Sequence, residues 1–172
     1  MHEKSAQSGP MAGLLFLRED EVRLAQDMIF FANRDLVESA DALLADMGFG
    51  RAHHRTLHFI GRNPGLPVGE LLSILGIAKQ SLARVLGPLI RQGYVQQTPG
   101  RTDRRQRLLS LTPAGIDLER RLFDLQYERL TTAFREAGGP AVEGFRKVLR
   151  GMMKPDARKW LDRAEACRAA KR

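Results

Sequence analysis

The chain has a single cysteine, Cys167, among its 172 residues. One thiol excludes an internal disulfide framework and a cysteine-built zinc cluster. Long apolar runs are also missing. The longest early one, Leu14 to Leu17, falls far short of a signal core or of the roughly 20 residues of a spanning helix. There is no paired carboxylate, nucleophile–base set or phosphate-cradling glycine loop, so no catalytic residue, resident metal or cofactor is expected. A cytoplasmic protein that is not an enzyme and has no membrane partner is expected. What is present is 43% hydrophobic residues, enough for a core, and 28% charged residues with a net charge of +8.

A basic balance suggests a polyanionic partner, but position decides more than sum. Residues 1–76 carry a net charge of −3 and residues 113–145 a net −2, while residues 77–112 carry +6 and residues 146–172 carry +7. Two basic blocks result, and charge alone does not choose between them.

Apolar periodicity gives the element order. Residues 1–18 read as a flexible arm. Val22, Ala25, Met28, Ile29, Ala32, Leu36, Leu43, Leu44 and Met47 mark a long helix from Glu19. Glu19, Asp20 and Glu21 suit the positive end of its macrodipole, and Gly48 suits its stop. A helix of that length is expected to pack against a partner. Shorter helices follow over 51–62, from Pro67 to Leu75, and over about 78–92. Tyr94–Thr98 and Arg107–Leu111 read as strands around a Pro99-Gly100 turn. Thr112 and Pro113 suit the N-cap and first position of a helix to about Ala137. After Gly138-Gly139-Pro140 a last helix is expected over about 141–164, with a fraying tail. The fold class is mainly α with a small β-hairpin wing: a winged helix-turn-helix with long N- and C-terminal dimerisation helices. The expected divisions are the arm (1–18), the N-terminal dimerisation helix (19–48), the winged helix-turn-helix lobe (49–112), the C-terminal dimerisation helices (113–164) and a basic tail (165–172).

In the helix over 78–92, Leu82, Val85, Leu86, Leu89 and Ile90 form one stripe. Lys79, Gln80, Ser81 and Arg84 fall opposite, near the N-terminal end, where helix-turn-helix proteins meet bases. Lys and Arg can address guanine or phosphate and Gln can address adenine. The bland alternative is a solvated helix face. The hairpin tips the choice. Arg101, Arg104, Arg105 and Arg107 crowd one exposed loop beside a single acid, Asp103. Such a cluster repels itself unless phosphates or a narrow minor groove receive it. Asp103 is then expected to hold an arginine in place by a charge-assisted pair.

The run Asp103-Arg104-Arg105-Gln106-Arg107-Leu108-Leu109-Ser110-Leu111-Thr112-Pro113-Ala114-Gly115 resembles the wing and following helix start of the MarR family of bacterial regulators. That family is marked by Asp-x-Arg, five residues, then Leu-Thr, met here by Asp103, Arg105, Leu111 and Thr112. Leu75-Gly76-Ile77 through Gly93-Tyr94-Val95 is similar to its recognition helix and next strand. The resemblance covers roughly residues 20–163. It implies a homodimer with interlocked first and last helices, acting as a transcriptional regulator, more often a repressor, on a pseudo-palindromic double-stranded operator. It implies Lys79, Gln80, Ser81 and Arg84 in the major groove, an Asp103–Arg105 wing pair, and Arg101 and Arg104 near the backbone. A small-molecule effector that changes the separation of the recognition helices is also implied. Two departures stand out. Ala78 lacks the Ser or Thr cap often found there, and Gly87-Pro88 lies inside the recognition helix, where a kink is expected.

His53, His54 and His58 cluster in the second helix. His54 and His58 share a face at a spacing that can bind zinc, but Arg55, not Glu, follows His54, against a catalytic metal. The ordinary reading is a half-buried pair near the core; proton or metal sensing is the alternative. By resemblance, Phe30, His54, His58 and Phe59 are candidate walls of an effector pocket. Trp160 and Met152-Met153 read as interhelical packing, and Cys167 as no redox switch. An enzyme built on the histidines, or an interaction module that has lost DNA binding, is the competing class; the wing arginines speak against the latter.

Overall fold

The protein is described by a computed structural model over residues 17–169. Most of the arm expected over 1–18, residues 170–172 and the side chains of Cys167 and Arg168 lie outside the described residues. The chain forms two compact units, one ending at Glu38 and one beginning at Ser39.

In the first unit the described residues are chiefly those of helix α1 (Glu19–Asp46), whose first turn holds Glu19, Asp20 and Glu21. Arg23 bridges back to Glu19 at 2.6 Å. Val22, Leu24, Met28, Ile29, Phe30 and Phe31 all stand exposed. So many large apolar groups in water on one helix mark an interaction surface.

The second unit holds the core. Its elements are the end of α1, then α2 (Arg51–Arg62), β1 (Leu66–Pro67), α3 (Val68–Leu75), α4 (Lys79–Arg91), β2 (Val95–Pro99), β3 (Arg107–Leu111), α5 (Pro113–Met152) and α6 (Pro155–Ala169). Helix α2 is the centre, with Leu57 and Ile60 fully buried against α3, α4, β3 and α5. Leu71 of α3 and Leu82, Leu86 and Leu89 of α4 close around it. Each fully buried leucine contributes about 2 kcal/mol of apolar transfer free energy.

The sheet is antiparallel in the order β1-β3-β2. Leu66 pairs with Leu109, and Val95 with Leu111; all four are buried. The two-residue strand β1 escaped the sequence reading because it is too short for any period. Pro67 is tolerated there because β1 lies at the sheet edge.

Two helix ends build the same joint. Gly48 and Gly93 have φ of +72° and +78°. Phe49 N–H donates to Leu44 O at 2.8 Å and Tyr94 N–H to Leu89 O at 2.9 Å, the long bond of a Schellman turn at each site. The aromatic residue that follows each glycine then turns inward, and the Phe49 and Tyr94 rings meet edge to face, 5.8 Å apart. The start of α5 locks onto the same place. Thr112 accepts Gly115 N–H at 3.1 Å and donates to Gly93 O at 2.5 Å.

The core therefore crosses both expected lobe edges. Ala40 and Leu44 of α1 and Gly115, Leu118 and Leu122 of α5 are buried within it. The helix expected over 141–164 is also revised. The backbone breaks at Gly138 (φ 78°, ψ 164°), as the Gly-Gly-Pro signal suggested, but α5 resumes and runs to Met152. A further break precedes Pro155, which opens α6, because a residue before proline is driven out of the helical region. Helix α6 persists to Ala169, past the point where fraying was expected.

Candidate nucleic-acid interface

Helix α4 presents two faces. Leu82, Leu86 and Leu89 face the core, while Lys79, Gln80, Ser81 and Arg84 are all exposed at the N-terminal end. Ala78 is the N-cap and offers no capping side chain. The first N–H groups of α4 must therefore seek an outside acceptor, water or phosphate. The helix runs unbroken through Pro88, held on either side by buried Leu86 and Leu89.

The wing is a hairpin from Pro99 to Arg107, which are register partners. Gly100 N–H donates to Gln106 O at 2.9 Å and Gln106 N–H to Asp103 O at 3.0 Å. Arg101, Asp103, Arg104, Arg105 and Arg107 are exposed. Asp103 does not grip an arginine side chain as expected. Its Oδ1 accepts the backbone N–H of Arg105 at 2.9 Å, because so short a side chain reaches its own chain two residues on. Asp103 thus fixes the turn and leaves the Arg105 guanidinium available. Asp103→Ala is expected to lower DNA affinity about fivefold, the factor matching a loss of about 1 kcal/mol of turn stability. Asp103→Asn is expected to retain most of it. Anisotropy titrations beside thermal melts check this, since the melting midpoint is expected to fall by no more than about 2–4 °C and leave the protein folded in the binding assay.

The two basic blocks behave differently. Among the described residues, no ion pair involves Lys79, Arg84, Arg101, Arg104, Arg105 or Arg107. In the C-terminal block, Arg150 forks onto Asp162 at 2.6 Å and Glu165 at 2.7 Å. Arg158 donates to Met153 O and Gly151 O, closing the α5–α6 corner, and Arg163 lies 3.9 Å from Glu70. Part of the second block is thus engaged in holding α6. Among the described residues the α4–wing block carries its cations without acid partners.

His54 and His58 lie where α2 meets α5. His54 is buried, and burial pushes its pKa down; neighbouring His58 adds to this, against the pull of Asp41 and Glu119. His58 Nδ1 lies 3.7 Å from Glu119 Oε1. Asp41 accepts Arg51 through Oδ2 at 2.6 Å, while its Oδ1 is buried without a partner. Among the described residues no group of three or more His, Cys, Asp or Glu is arranged to hold a metal ion. Phe59 packs edge-on against Trp160 of α6 at 5.4 Å, the interhelical role expected of that tryptophan. Phe30 is exposed on α1 with its ring against Phe31. Among the described residues, no helix is long and apolar enough to cross a membrane.

Sequence reasoning grouped His53 with His54 and His58 but missed its role as a cap. Its Nδ1 accepts the N–H of Gly50, the N-cap of α2, at 3.0 Å, and its ring lies 4.8 Å from that of Phe49. The available signal was a histidine three residues after a glycine cap, where Glu or Gln is the usual reciprocal acceptor.

A model of the MarR family matches residues 47–106. The chain is 47% identical over 156 residues to the HTH-type transcriptional regulator PetP of Rhodobacter capsulatus, a match spanning 90% of this chain and 94% of that protein. Among solved structures, it is similar to a MarR protein from Peptoclostridium difficile, with a TM-score of 0.64 at 17% identity over 94% of this chain and 98% of that one. It is also similar to a mutant E. coli MarR complexed with operator DNA, with a TM-score of 0.59 at 21% identity over 81% and 99% of the respective chains.

Proposed function

The chain belongs to the MarR family, and from that premise we propose that it is a homodimeric regulator of transcription that reads double-stranded DNA in a sequence-specific way. The observation that carries this reading is the contrast in charge. Among the described residues the exposed cations of α4 and the wing form no ion pair, whereas part of the C-terminal basic block is engaged within the protein. In this reading Lys79, Gln80, Ser81 and Arg84 face base edges and phosphates of the major groove. Arg101, Arg104 and Arg105 enter or flank the minor groove, and Asp103 shapes the turn that presents them.

The dimer supplies the second half-site. The apolar side chains exposed on α1, and Leu125, Tyr127, Phe145, Val148 and Met152 exposed on α5, suit burial against a second copy. Residues 19–48 and the distal part of 113–164 then serve as dimerisation elements, and 49–112, extended by the start of α5, as the reading lobe. His54, His58 and Phe59 of α2 remain candidates for an effector site, Phe30 of α1 remains a separate candidate, and the cytoplasm is the compartment where such a protein meets its DNA.

Genome-wide mapping of bound sites tests the reading. The expected result is a set of inverted repeats whose half-sites lie about one helical turn, or about 10 base pairs, apart. Absence of enrichment over background would overturn it.

A further inference from the structure

We propose that His53 is a proton-sensitive cap that locks the joint between α1, α2 and the recognition helix, so that mild acid loosens the joint and weakens DNA binding. The consequence for DNA rests on the reading of α4 and the wing as the DNA-binding surface; the cap itself does not.

The geometry sets the dependence on protonation. Gly50 N–H donates to His53 Nδ1, and a ring nitrogen can accept only while it carries no proton. Glycine has no side chain to cap α2 in return, and no side-chain cap bond forms there. The acceptor on His53 is therefore the reciprocal half of a capping box standing alone. Protonation removes that acceptor and adds a positive charge at the positive end of α2, where the macrodipole opposes it.

The position gives the cap its reach. The His53 ring packs on Phe49, which follows the turn ending α1. Phe49 packs in turn on Tyr94, which follows the turn ending α4. Tyr94 O also accepts Thr112 N–H at 3.0 Å, at the start of α5. One ring thus buttresses a place where four helix ends meet.

The groups facing His53 from its neighbours are Phe49 and, behind it, Tyr94. Among the described residues no carboxylate acts on it to stabilise the imidazolium, and burial holds its pKa below the ordinary 6.5. The sign follows. As pH falls through 6.5 the unfolded chain takes up the proton before the folded one, so folded stability is full above that value and declines below it.

The test compares the full-length wild-type chain with His53→Gln, His53→Ala and His58→Gln between pH 8 and pH 5.5. Gln keeps a pH-independent acceptor at this position; Ala has none. Wild type is expected to melt with the Gln variant at pH 8 and with the Ala variant at pH 5.5, the two levels differing by about 2–4 °C. His58→Gln is expected to keep this crossover. Affinity for DNA recovered by site mapping is expected to cross over in the same way, by about fivefold. If wild type tracks the Gln variant at every pH, or if the Ala variant matches wild type at pH 8, the cap is overturned, even where DNA binding is normal. If the melting crossover appears but no DNA is bound at either pH, the cap stands and the DNA-binding reading fails.

Discussion

Gly115→Ala is expected to destabilise the protein by about 3 kcal/mol or more, lowering the melting midpoint by about 6–12 °C. A β-carbon at Gly115 would collide with Tyr94 O and lie 2.9 Å from Tyr94 C. Both are backbone atoms, so no side chain can rotate away. Tyr94 has little freedom to retreat, because its N–H is committed to Leu89 O and its carbonyl to Thr112 N–H. Leu111 Cβ, at 3.3 Å, blocks a second direction. The helix start must shift, and with it the Thr112 contacts that tie α5 to the end of the recognition helix. Gly144→Ala is the control. It also lies in α5, but a β-carbon there meets nothing within 4 Å, so alanine is expected to raise stability by about 0.5–1 kcal/mol. Denaturant titrations of the two variants check the pair. A Gly115→Ala protein as stable as its parent would contradict the close approach of α5 to Tyr94.

Replacing Arg101, Arg104 and Arg105 together by alanine is expected to leave the fold intact and to remove most DNA affinity at physiological salt. These side chains are exposed and form no ion pair among the described residues, so folding loses little. Each phosphate contact contributes about 0.9 to the slope of log affinity against log salt. In a dimer every substitution counts twice, so the slope is expected to flatten by up to about five. Affinity is expected to fall similarly for all sequences, since phosphate contacts position rather than specify. Titrations at several salt concentrations check this. Unchanged slope with unchanged affinity would place the wing away from DNA.

The parts of this fold legible in the sequence are those with strong local chemistry. The acidic run at Glu19, the Thr112-Pro113 pair and the leucine spacing of α4 each sit where expected, because caps and periodicity act over a few residues. The positions of Lys79, Gln80, Ser81 and Arg84 on an exposed face followed from the same spacing. What was not legible depends on distant pairing. Strand β1 exists only because Leu66 meets Leu109 across the chain. The Tyr94–Gly115 contact brings together residues 21 positions apart. Asp103 illustrates a local rule misapplied: its charge suggested an arginine partner, but its short reach favoured the Arg105 N–H. The break at Lys154-Pro155 carried a proline signal that periodicity across 141–164 masked. The capping role of His53 stayed hidden because a cap by histidine lacks the Glu or Gln that marks the motif.

The most direct measurement is the affinity of Arg84→Ala for the operator and for operators altered one base pair at a time. Loss of about 1–3 kcal/mol on the native site, with discrimination relaxed at one base-pair position in each half-site and the other positions unaffected, is the result expected of a base-reading side chain on α4. Equal affinity of variant and parent for every sequence, with the fold intact, would contradict the assignment of α4 as the reading helix.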